Sequence, residues 1–281
     1  MNKVIIAFCE GDHDIAVLSK LLSVYGYSPY RKKVKDFPNP LNQLYINILS
    51  ENIIEDSEFK FQRGNKYIPF VALSKDEILV IFHNLGGDGN ILNGSTTSII
   101  DKYVELNDEA LRKVNKYEEI NFRFLYFLDA DDVGVENRLT EVKNLLGLDR
   151  IEHHKIHSKD LFEVGCYVFH DRSNRSKNGK LEDLLLALMK PNNDQVFNQS
   201  IKFVNDNILD SNRQKKYVCG YEAEDRYTGS IQFKKEKSII SIAGQLQFSG
   251  SNNSVIIANS DYIQTDDIKA NDCCNDIMKL F

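Results

Sequence analysis

The sequence predicts an α/β fold in which a parallel sheet is flanked by helices. Three apolar runs of the kind expected for strands buried on both faces occur at 4–9 (VIIAFC), 78–82 (ILVIF) and 122–128 (FRFLYFL). Each run ends in a polar turn, and a helical pattern follows that turn. Repeated units of strand, loop and helix indicate βαβ connections, which place parallel strands in one sheet.

The remaining elements follow in chain order. The first helix is predicted from Ile15, Leu18 and Leu22, which recur at helical spacing behind an acidic turn that can cap the helix. Further helices are predicted at 95–106, 134–146 and 180–190. Strand-like patterns occur at 165–169 (GCYVF) and, as a partial alternation, at 237–248 (KSIISIAGQLQF).

Composition and charge narrow the class of protein. The chain has 281 residues, of which 42% are hydrophobic and 27% charged, and these proportions exclude a disordered, collagen-like or coiled-coil protein. A net charge of −6 excludes a simple basic protein that wraps nucleic acid. The five cysteines show no C-x-x-C spacing and predict reduced thiols in the cytoplasm, and no apolar run is long enough for a membrane span.

The domain organisation is predicted from where the regular pattern weakens. Residues 1–190 are predicted as the catalytic domain, with an inserted lobe at 31–76 in which Pro38 and Pro40 break the regular pattern and a hairpin-like stretch occurs at 59–70. Residues 191–281 are predicted as a mixed C-terminal extension that partly completes the same domain.

Carboxylates directly follow two of the predicted strands. Glu10 follows the first strand, and Asp129 and Asp131 follow the third. Ligands of parallel α/β sheets bind outside the carboxyl ends of the strands, so these acids share one crevice if the two strands are neighbours. Carboxylates that lie close together raise each other's pKa, and a divalent cation such as Mg²⁺ relieves their repulsion. The pattern therefore predicts a metal site suited to phosphoryl transfer.

The same residue types also have simpler roles. An aspartate after a strand can cap the next helix or lie in a solvated turn, which is the role expected for Asp12 and Asp132. His13 is expected to be a partly exposed turn residue, with substrate contact as the alternative. The phosphate-binding motif G-x-x-x-x-G-K-[ST] is absent, so any ATP hydrolysis in the system is expected from a partner protein.

Taken together, these motifs resemble the Toprim domain of topoisomerases, bacterial primases and OLD-family nucleases. The resemblance is carried by Glu10-Gly11 with Asp14 at the end of one strand, and by Asp129-x-Asp131 at the end of a later one. Gly86-Gly87 is similar to Toprim sequences as well, and residues 165–185 resemble stand-alone Toprim-related proteins close to the OLD nucleases. The resemblance covers about residues 1–190. Glu10 and Asp129 are further apart in the sequence than a minimal Toprim domain needs, and the 31–76 insertion accounts for the excess.

The resemblance implies a role for each matching acid. Glu10 matches a general acid/base or metal-associated group, and Asp129 and Asp131 match the metal-binding pair. Asp14 matches the acid that follows Glu-Gly in OLD-type motifs, and Glu182 or Asp183 matches a further metal carboxylate. The implied activity is a Mg²⁺- or Mn²⁺-dependent endonuclease that cleaves or nicks DNA, with RNA as an open alternative. A role in bacterial antiphage defence and an ATPase partner are implied by the same resemblance.

Clusters of basic residues offer contacts to nucleic-acid phosphates despite the acidic total. The clusters predicted to bind nucleic acid comprise Arg172, Arg175, Lys177, Lys180 and Lys237. The first four lead into the segment that carries Glu182 and Asp183, and Lys237 is a candidate contact to the scissile phosphate. A solvated surface is the alternative for each cluster taken alone.

Two other functions stay open from the sequence. One is a non-enzymatic Toprim-fold interaction or effector subunit partnered with an ATPase. The other is a phosphohydrolase of small phosphates, since haloacid-dehalogenase-type phosphatases also carry D-x-D after a strand. Those enzymes place the motif near their first strand and usually have a threonine after it, whereas Val133 follows Asp132 here. A homo-oligomer is compatible with each of these functions.

Overall fold

A seven-stranded sheet forms the centre of the computed structural model, which describes residues 3–49, 67–86, 90–173, 175–210, 213–214, 216–217, 227–228 and 233–281. Its strands are β1 (Lys3–Cys9), β2 (Ser28–Pro29), β3 (Val71–Lys75), β4 (Ile78–Asn84), β5 (Asn121–Asp129), β6 (Ile156–Lys159) and β7 (Phe162–Phe169). Their order across the sheet is β2-β3-β4-β1-β5-β7-β6. A separate pair is formed by β8 (Lys216–Tyr217) and β9 (Tyr227–Thr228).

The four central strands, β4, β1, β5 and β7, are parallel. β3 pairs antiparallel with β4, β6 pairs antiparallel with β7, and the short edge strand β2 pairs antiparallel with β3. In the register of the central strands, Ile6 lies between Ile81 and Phe124. All three side chains are fully buried, as expected for strands covered on both faces. The predicted α/β class with a mostly parallel sheet flanked by helices is confirmed.

Helices cover both faces of the sheet. They are α1 (Asp12–Val24), α2 (Leu41–Leu49), α3 (Gly94–Val104), α4 (Glu109–Asn115), α5 (Val135–Leu146), α6 (Leu181–Met189), α7 (Asp194–Asp206), α8 (Lys235–Gly244), α9 (Asn253–Asn259), α10 (Thr265–Ala270) and α11 (Asp272–Met278). Alternate residues of β1 belong to different apolar clusters, because side chains alternate along a strand. Ile5, Ala7 and Cys9 pack with α1 and with α6 to α11, whereas the residues between them pack with α2, α3 and α5.

The chain changes direction across the sheet at β1. After β1, the chain forms β2, β3 and β4 on one side of β1. It then crosses β1 and forms β5, β6 and β7 on the other side. The loops that follow β1 and β5 therefore diverge and open a crevice at the carboxyl ends of these neighbouring strands. The order of the strands supplies the arrangement that the acidic motifs require.

Two parts of the fold differ from the expectations. Residues 237–248 were expected to form a strand, but α8 covers Lys235–Gly244, and Ile239, Ile240 and Ala243 are buried at helical spacing. The expected insertion at 31–76 contains β3, which pairs with β4 and so belongs to the main sheet. The hairpin expected at 59–70 lies for the most part outside the described residues, which resume at 67.

The C-terminal part of the chain packs on the main sheet. Buried residues of α7 to α11 share one apolar cluster with α1 and with β1, β5 and β7. Phe281 stacks on Phe127 of β5 at 5.9 Å between ring centroids, and Arg123 donates to the Leu280 carbonyl at 2.7 Å. Within the described ranges, no helix is both long and apolar enough to cross a membrane.

Candidate functional site

A cavity of about 670 Å³ lies at the carboxyl ends of β1, β4 and β5. Helices α1, α6 and α8 all begin beside it, and the start of a helix carries a partial positive charge. Its charged and polar lining consists of Glu10, Asp12, His13, Asp14, Asn84, Asp129, Asp131, Arg138, Glu182, Lys234 and Lys237. The cavity therefore brings carboxylates and cations together in one recess.

Glu10 and Asp129 meet because β1 and β5 are adjacent. Cys9, the last residue of β1, pairs with Phe127 of β5, so the two acids lie at about the same level of the sheet. The backbone N–H of Asp129 donates to Glu10 Oε1 at 3.3 Å. Burial raises the pKa of Glu10; this hydrogen bond opposes the shift and the nearby charge of Asp131 adds to it.

The carboxyl group of Asp14 is buried and that of Asp129 is partly buried. Asp14 is 6% exposed and accepts a hydrogen bond from the backbone N–H of Gly11 at 2.7 Å, which fixes the start of α1. Burial raises the pKa of Asp14 to about 7, and the charges of Glu10 and Glu182 add to the shift. Burial likewise raises the pKa of Asp129 to about 8, assisted by the charges of Asp14 and Glu10. Both groups hold protons near neutral pH unless a cation compensates their charge.

Asp131 is held by an arginine of the following helix. Its backbone is left-handed, with φ 46°, and its N–H donates to the carbonyl of Gly179 at 2.7 Å. Arg138 of α5 donates to Asp131 Oδ2 at 3.1 Å and to the carbonyl oxygen of Asp129 at 2.9 Å. Arg138 thus connects both ends of the D-x-D turn and fixes where the Asp131 carboxylate lies.

Glu182 lies at the start of α6 and is 2% exposed. Its Oε1 lies 3.3 Å from Lys237 Nζ and 3.4 Å from His13 Nδ1. Burial alone would raise the pKa of Glu182, but the hydrogen bond from His13 and the charge of Lys237 outweigh it and lower the pKa to about 2. Its second oxygen, Oε2, is buried and has no hydrogen-bond partner among the described residues.

Asp183 does not line the cavity. Its Oδ2 accepts a hydrogen bond from the backbone N–H of Lys180 at 2.8 Å and so caps α6. It faces a second cavity of about 400 Å³, which is also lined by Arg172 and Cys273. The sequence left Glu182 and Asp183 as alternatives, and the structure places only Glu182 beside the other acids.

Most of the predicted nucleic-acid-binding residues also lie elsewhere. Arg172 pairs with Asp276 at 2.5 Å on the second cavity. Lys177 lies 3.7 Å from Glu136, and Lys180 lies 3.9 Å from Glu236. Arg175 is exposed and is not part of the cavity lining. Of the five basic residues singled out from the sequence, Lys237 is the one that the structure places in the lining.

Three lining residues were not identified as site residues from the sequence. Asn84 ends β4, and its side chain donates to Asp12 Oδ1 at 2.5 Å; the rule that sites lie at strand ends could have identified it. Arg138 could have been found as the basic residue one helical turn into α5, facing the preceding turn. Lys234 belongs to the basic cluster with Lys235 and Lys237, so the clustering of positive charge could have identified it beside Lys237.

The oxygen-rich lining is compatible with a hard divalent cation. Among the described residues, no group of three or more His, Cys, Asp or Glu side chains is arranged as a ready metal site. Mg²⁺, however, commonly keeps several waters and binds protein through one or two carboxylates. The raised pKa of Asp129 indicates a carboxyl group that lacks a nearby compensating cation, and Oε2 of Glu182 is a buried oxygen with no hydrogen-bond partner among the described residues. On these grounds the residues fit such an ion.

Comparison with other proteins identifies a family without a known activity. The model of the family described as "Protein of unknown function (DUF3226)" matches residues 5–281, so the chain belongs to this family. No curated protein matches the chain. The structure is similar to the crystal structure of the hypothetical protein PH0156 from Pyrococcus horikoshii OT3, with a TM-score of 0.51 and 17% identity over 92% of this chain and 87% of that chain. This likeness shows the fold alone.

Proposed function

We propose that this member of the DUF3226 family is a nuclease of the Toprim type, which cleaves phosphodiester bonds with Mg²⁺ or Mn²⁺. The proposal rests on one observation: buried carboxylates from separate segments converge on a single cavity at the switch point of the sheet. Structural acids are normally paired or solvated, whereas Asp14 is buried and Asp129 is partly buried, and both have raised pKa values. A cluster of this kind is expected where an enzyme holds a cation.

The candidate ligands are the carboxylates that line the cavity. Glu10, Asp14, Asp129 and Asp131 would hold one or two ions, together with the unpartnered oxygen of Glu182. A bound divalent cation would supply Lewis acidity and neutralise charge on a phosphodiester. Asp183 is not included, because its carboxylate caps α6.

Other steps of the proposed reaction, proton transfer and phosphate binding, are assigned to residues of the chain. Glu10 has a raised pKa and lies at the end of β1, where it can accept a proton from the attacking water. Lys234 and Lys237 line the same cavity as the acids and can bind phosphate oxygens. Arg138 holds the D-x-D turn in place through Asp131 and the Asp129 carbonyl. These contacts position a phosphate and stabilise the charge that develops on it.

The test is cleavage of a panel of nucleic acids by the purified protein in Mg²⁺ or Mn²⁺. The panel contains supercoiled plasmid, linear duplex DNA, single-stranded circular DNA and single-stranded RNA, and we expect cleavage of at least one of them. Asp129→Asn should lower the rate by about 100-fold or more, because losing a ligand should exceed the 10–100-fold effect of losing a residue that only supports one.

Asp132→Asn is the matched control for this experiment. Asp132 is exposed, lies three residues from Asp129 and is not part of the cavity lining. Its substitution should leave the rate within about twofold of wild type. If no member of the panel is cleaved, alone or with candidate ATPase partners, the nuclease is refuted and a non-catalytic effector subunit is favoured. Cleavage that survives Asp129→Asn would place the activity elsewhere.

A further inference from the structure

The basic side chains at the cavity are mostly engaged by acidic groups of the chain itself. Arg138 donates to Asp131, to Glu141 and to the carbonyl of Asp129, which occupies its three nitrogens. Lys237 lies 3.3 Å from Glu182. Within the described part of the chain, this leaves Lys234 as the lining cation without a bonded partner. The cavity can therefore grip only a few phosphates at once.

The basic residues outside the cavity do not extend this grip. Arg172 lies on the second cavity and is bonded to Asp276. Lys177 and Lys180 lie beside Glu136 and Glu236. The whole chain carries a net charge of −6. A protein that grips a duplex gains affinity by neutralising about 6–10 phosphates. Among the described residues, the cavity lining presents Arg138, Lys234 and Lys237 as its Lys and Arg side chains, which is fewer than such a grip requires.

The acids lie in a recess. Glu182 is 2% exposed and Asp14 is 6% exposed, so these two carboxylates lie below the surface, whereas the Asp131 side chain is 50% exposed at the rim. The cavity volume of about 670 Å³ is within the usual range for a pocket that encloses a small molecule, about 300–1,000 Å³. A stacked duplex is stiff over such distances, whereas a single strand can bend and bring one phosphodiester into a recess.

We propose that the site takes a single-stranded segment or a chain end of nucleic acid, and binds two or three phosphates at a time. This inference rests on the proposed function, since it names the substrate of the same site. Lys234 and Lys237 contact the strand on either side of the scissile bond. A duplex is excluded from the acids by its stiffness and by the small number of cations that the described residues place in the cavity lining.

The test measures the binding of a short oligonucleotide, either single-stranded or annealed to its complement, by fluorescence anisotropy. The salt concentration is varied from 50 to 200 mM, and Ca²⁺ replaces the activating metal. For the single strand, the slope of log K against log salt should be about −1.4 to −2.1, since each phosphate contributes about 0.7. Duplex of the same sequence should bind at least about tenfold more weakly. Equal or tighter duplex binding, with a slope of about −5 or steeper, overturns the proposal, and so does a failure to bind the single strand.

Two variants connect the result to the cavity. Lys234→Gln should make the slope shallower by about 0.7, the contribution of one phosphate, whereas Lys177→Gln should not change it. The binding assay does not depend on cleavage, so the two proposals fail separately. Cleavage of duplex in preference to single strand would refute the strand preference and leave the nuclease standing, and binding without any cleavage would refute the nuclease.

Discussion

The carboxyl group of Asp129 is buried next to other acids, and its surroundings set its protonation. The backbone N–H of Leu181 donates to its Oδ1 at 2.8 Å and favours the charged form. Burial and the neighbouring charges of Asp14 and Glu10 favour the neutral form and prevail, which raises the pKa to about 8. The folded, metal-free protein therefore binds a proton here that the unfolded chain, with a pKa near 3.8, releases.

This shift predicts how stability depends on pH. Because the folded pKa is raised, the stabilising contribution of the protonated group is complete below about pH 3.8 and is lost as the pH rises through about 8. The metal-free protein should lose stability as the pH rises from about 4 to about 8. Asp129→Asn stays neutral and retains the acceptor for Leu181, so it should be more stable than wild type at pH 9 by on the order of 2 kcal/mol, with little difference below about pH 4.

Urea unfolding at several pH values, in the presence of a chelator, measures this effect. Asp132→Asn serves as the comparison, because Asp132 is exposed and should leave the pH profile unchanged. Mg²⁺ should restore part of the stability of the wild type at pH 9, since bound metal stabilises the folded form, and should do less for Asp129→Asn. Identical pH profiles for wild type and Asp129→Asn would contradict the assignment.

At the scale of elements, α8 is the helix that completes the site. The sequence 237–248 was interpreted as a strand from its partial alternation, yet Ile239, Ile240 and Ala243 are buried on one face of a helix. As a helix, this segment directs Lys237 at Glu182 of α6, and α8 also packs against α7 and α9. The C-terminal part of the chain thus contributes a charged group to a site whose acids come from the first 190 residues.

A double-mutant cycle on Lys237→Met and Glu182→Gln measures this contact. Removing Lys237 leaves a buried carboxylate with only His13 beside it, which should destabilise the protein by about 1–2 kcal/mol. This is less than the 3–5 kcal/mol of a fully buried pair, because Lys237 is 38% exposed. Adding Glu182→Gln should recover most of the loss. A cycle that is additive within about 0.5 kcal/mol would show that the two side chains do not interact.

The same two elements supply a control pair. Lys180, at the start of α6, lies 3.9 Å from Glu236 of α8, and both side chains are about one-third exposed. A pair with this separation and exposure should couple by less than about 0.5 kcal/mol. If the coupling energy of Lys180 and Glu236 is as large as that of Lys237 and Glu182, the packing of α6 against α8, and not the buried ion pair, accounts for the coupling.

At the scale of the whole molecule, the C-terminal helices share the core of the sheet. Leu280 is fully buried, and its neighbours across the sheet include Gly165 of β7. A core that is continuous between residues 1–190 and 191–281 predicts one cooperative unfolding transition. Far-UV circular dichroism and tyrosine fluorescence should report the same midpoint in urea, and two separate transitions would indicate an independent C-terminal unit.

Leu280→Ala should lower the free energy of unfolding by about 2–5 kcal/mol, because it removes a buried side chain and leaves a cavity. Leu246→Ala is the matched control. Leu246 is 73% exposed, so its loss should change the stability by less than about 0.5 kcal/mol. If both substitutions had the same small effect, the end of the chain would not be part of the core.

The sequence alone determined the central strands and the acids that follow them. The continuous apolar runs of β1, β4 and β5 are enough to predict these strands, since a strand buried on both faces needs apolar side chains throughout. The positions of Glu10 and Asp129 follow from where those runs end. Strand β3, which lies between β2 and β4, falls in the segment that the sequence predicts as an insertion, because its five residues include Ser74 and Lys75 and do not mark it as a strand.

Tertiary structure decided which of the charged residues share one cavity. The order of the strands brings Glu10 and Asp129 together. Glu182 and Asp183 are neighbours in sequence but face different cavities, because successive residues of a helix point about 100° apart. The sequence predicts Arg172 and Lys180 as phosphate ligands, whereas in the fold Asp276 and Glu236 lie beside them. Local sequence specifies where a strand or helix begins and ends, but the partners of a charge come from segments far away in the chain, and only packing brings these into contact.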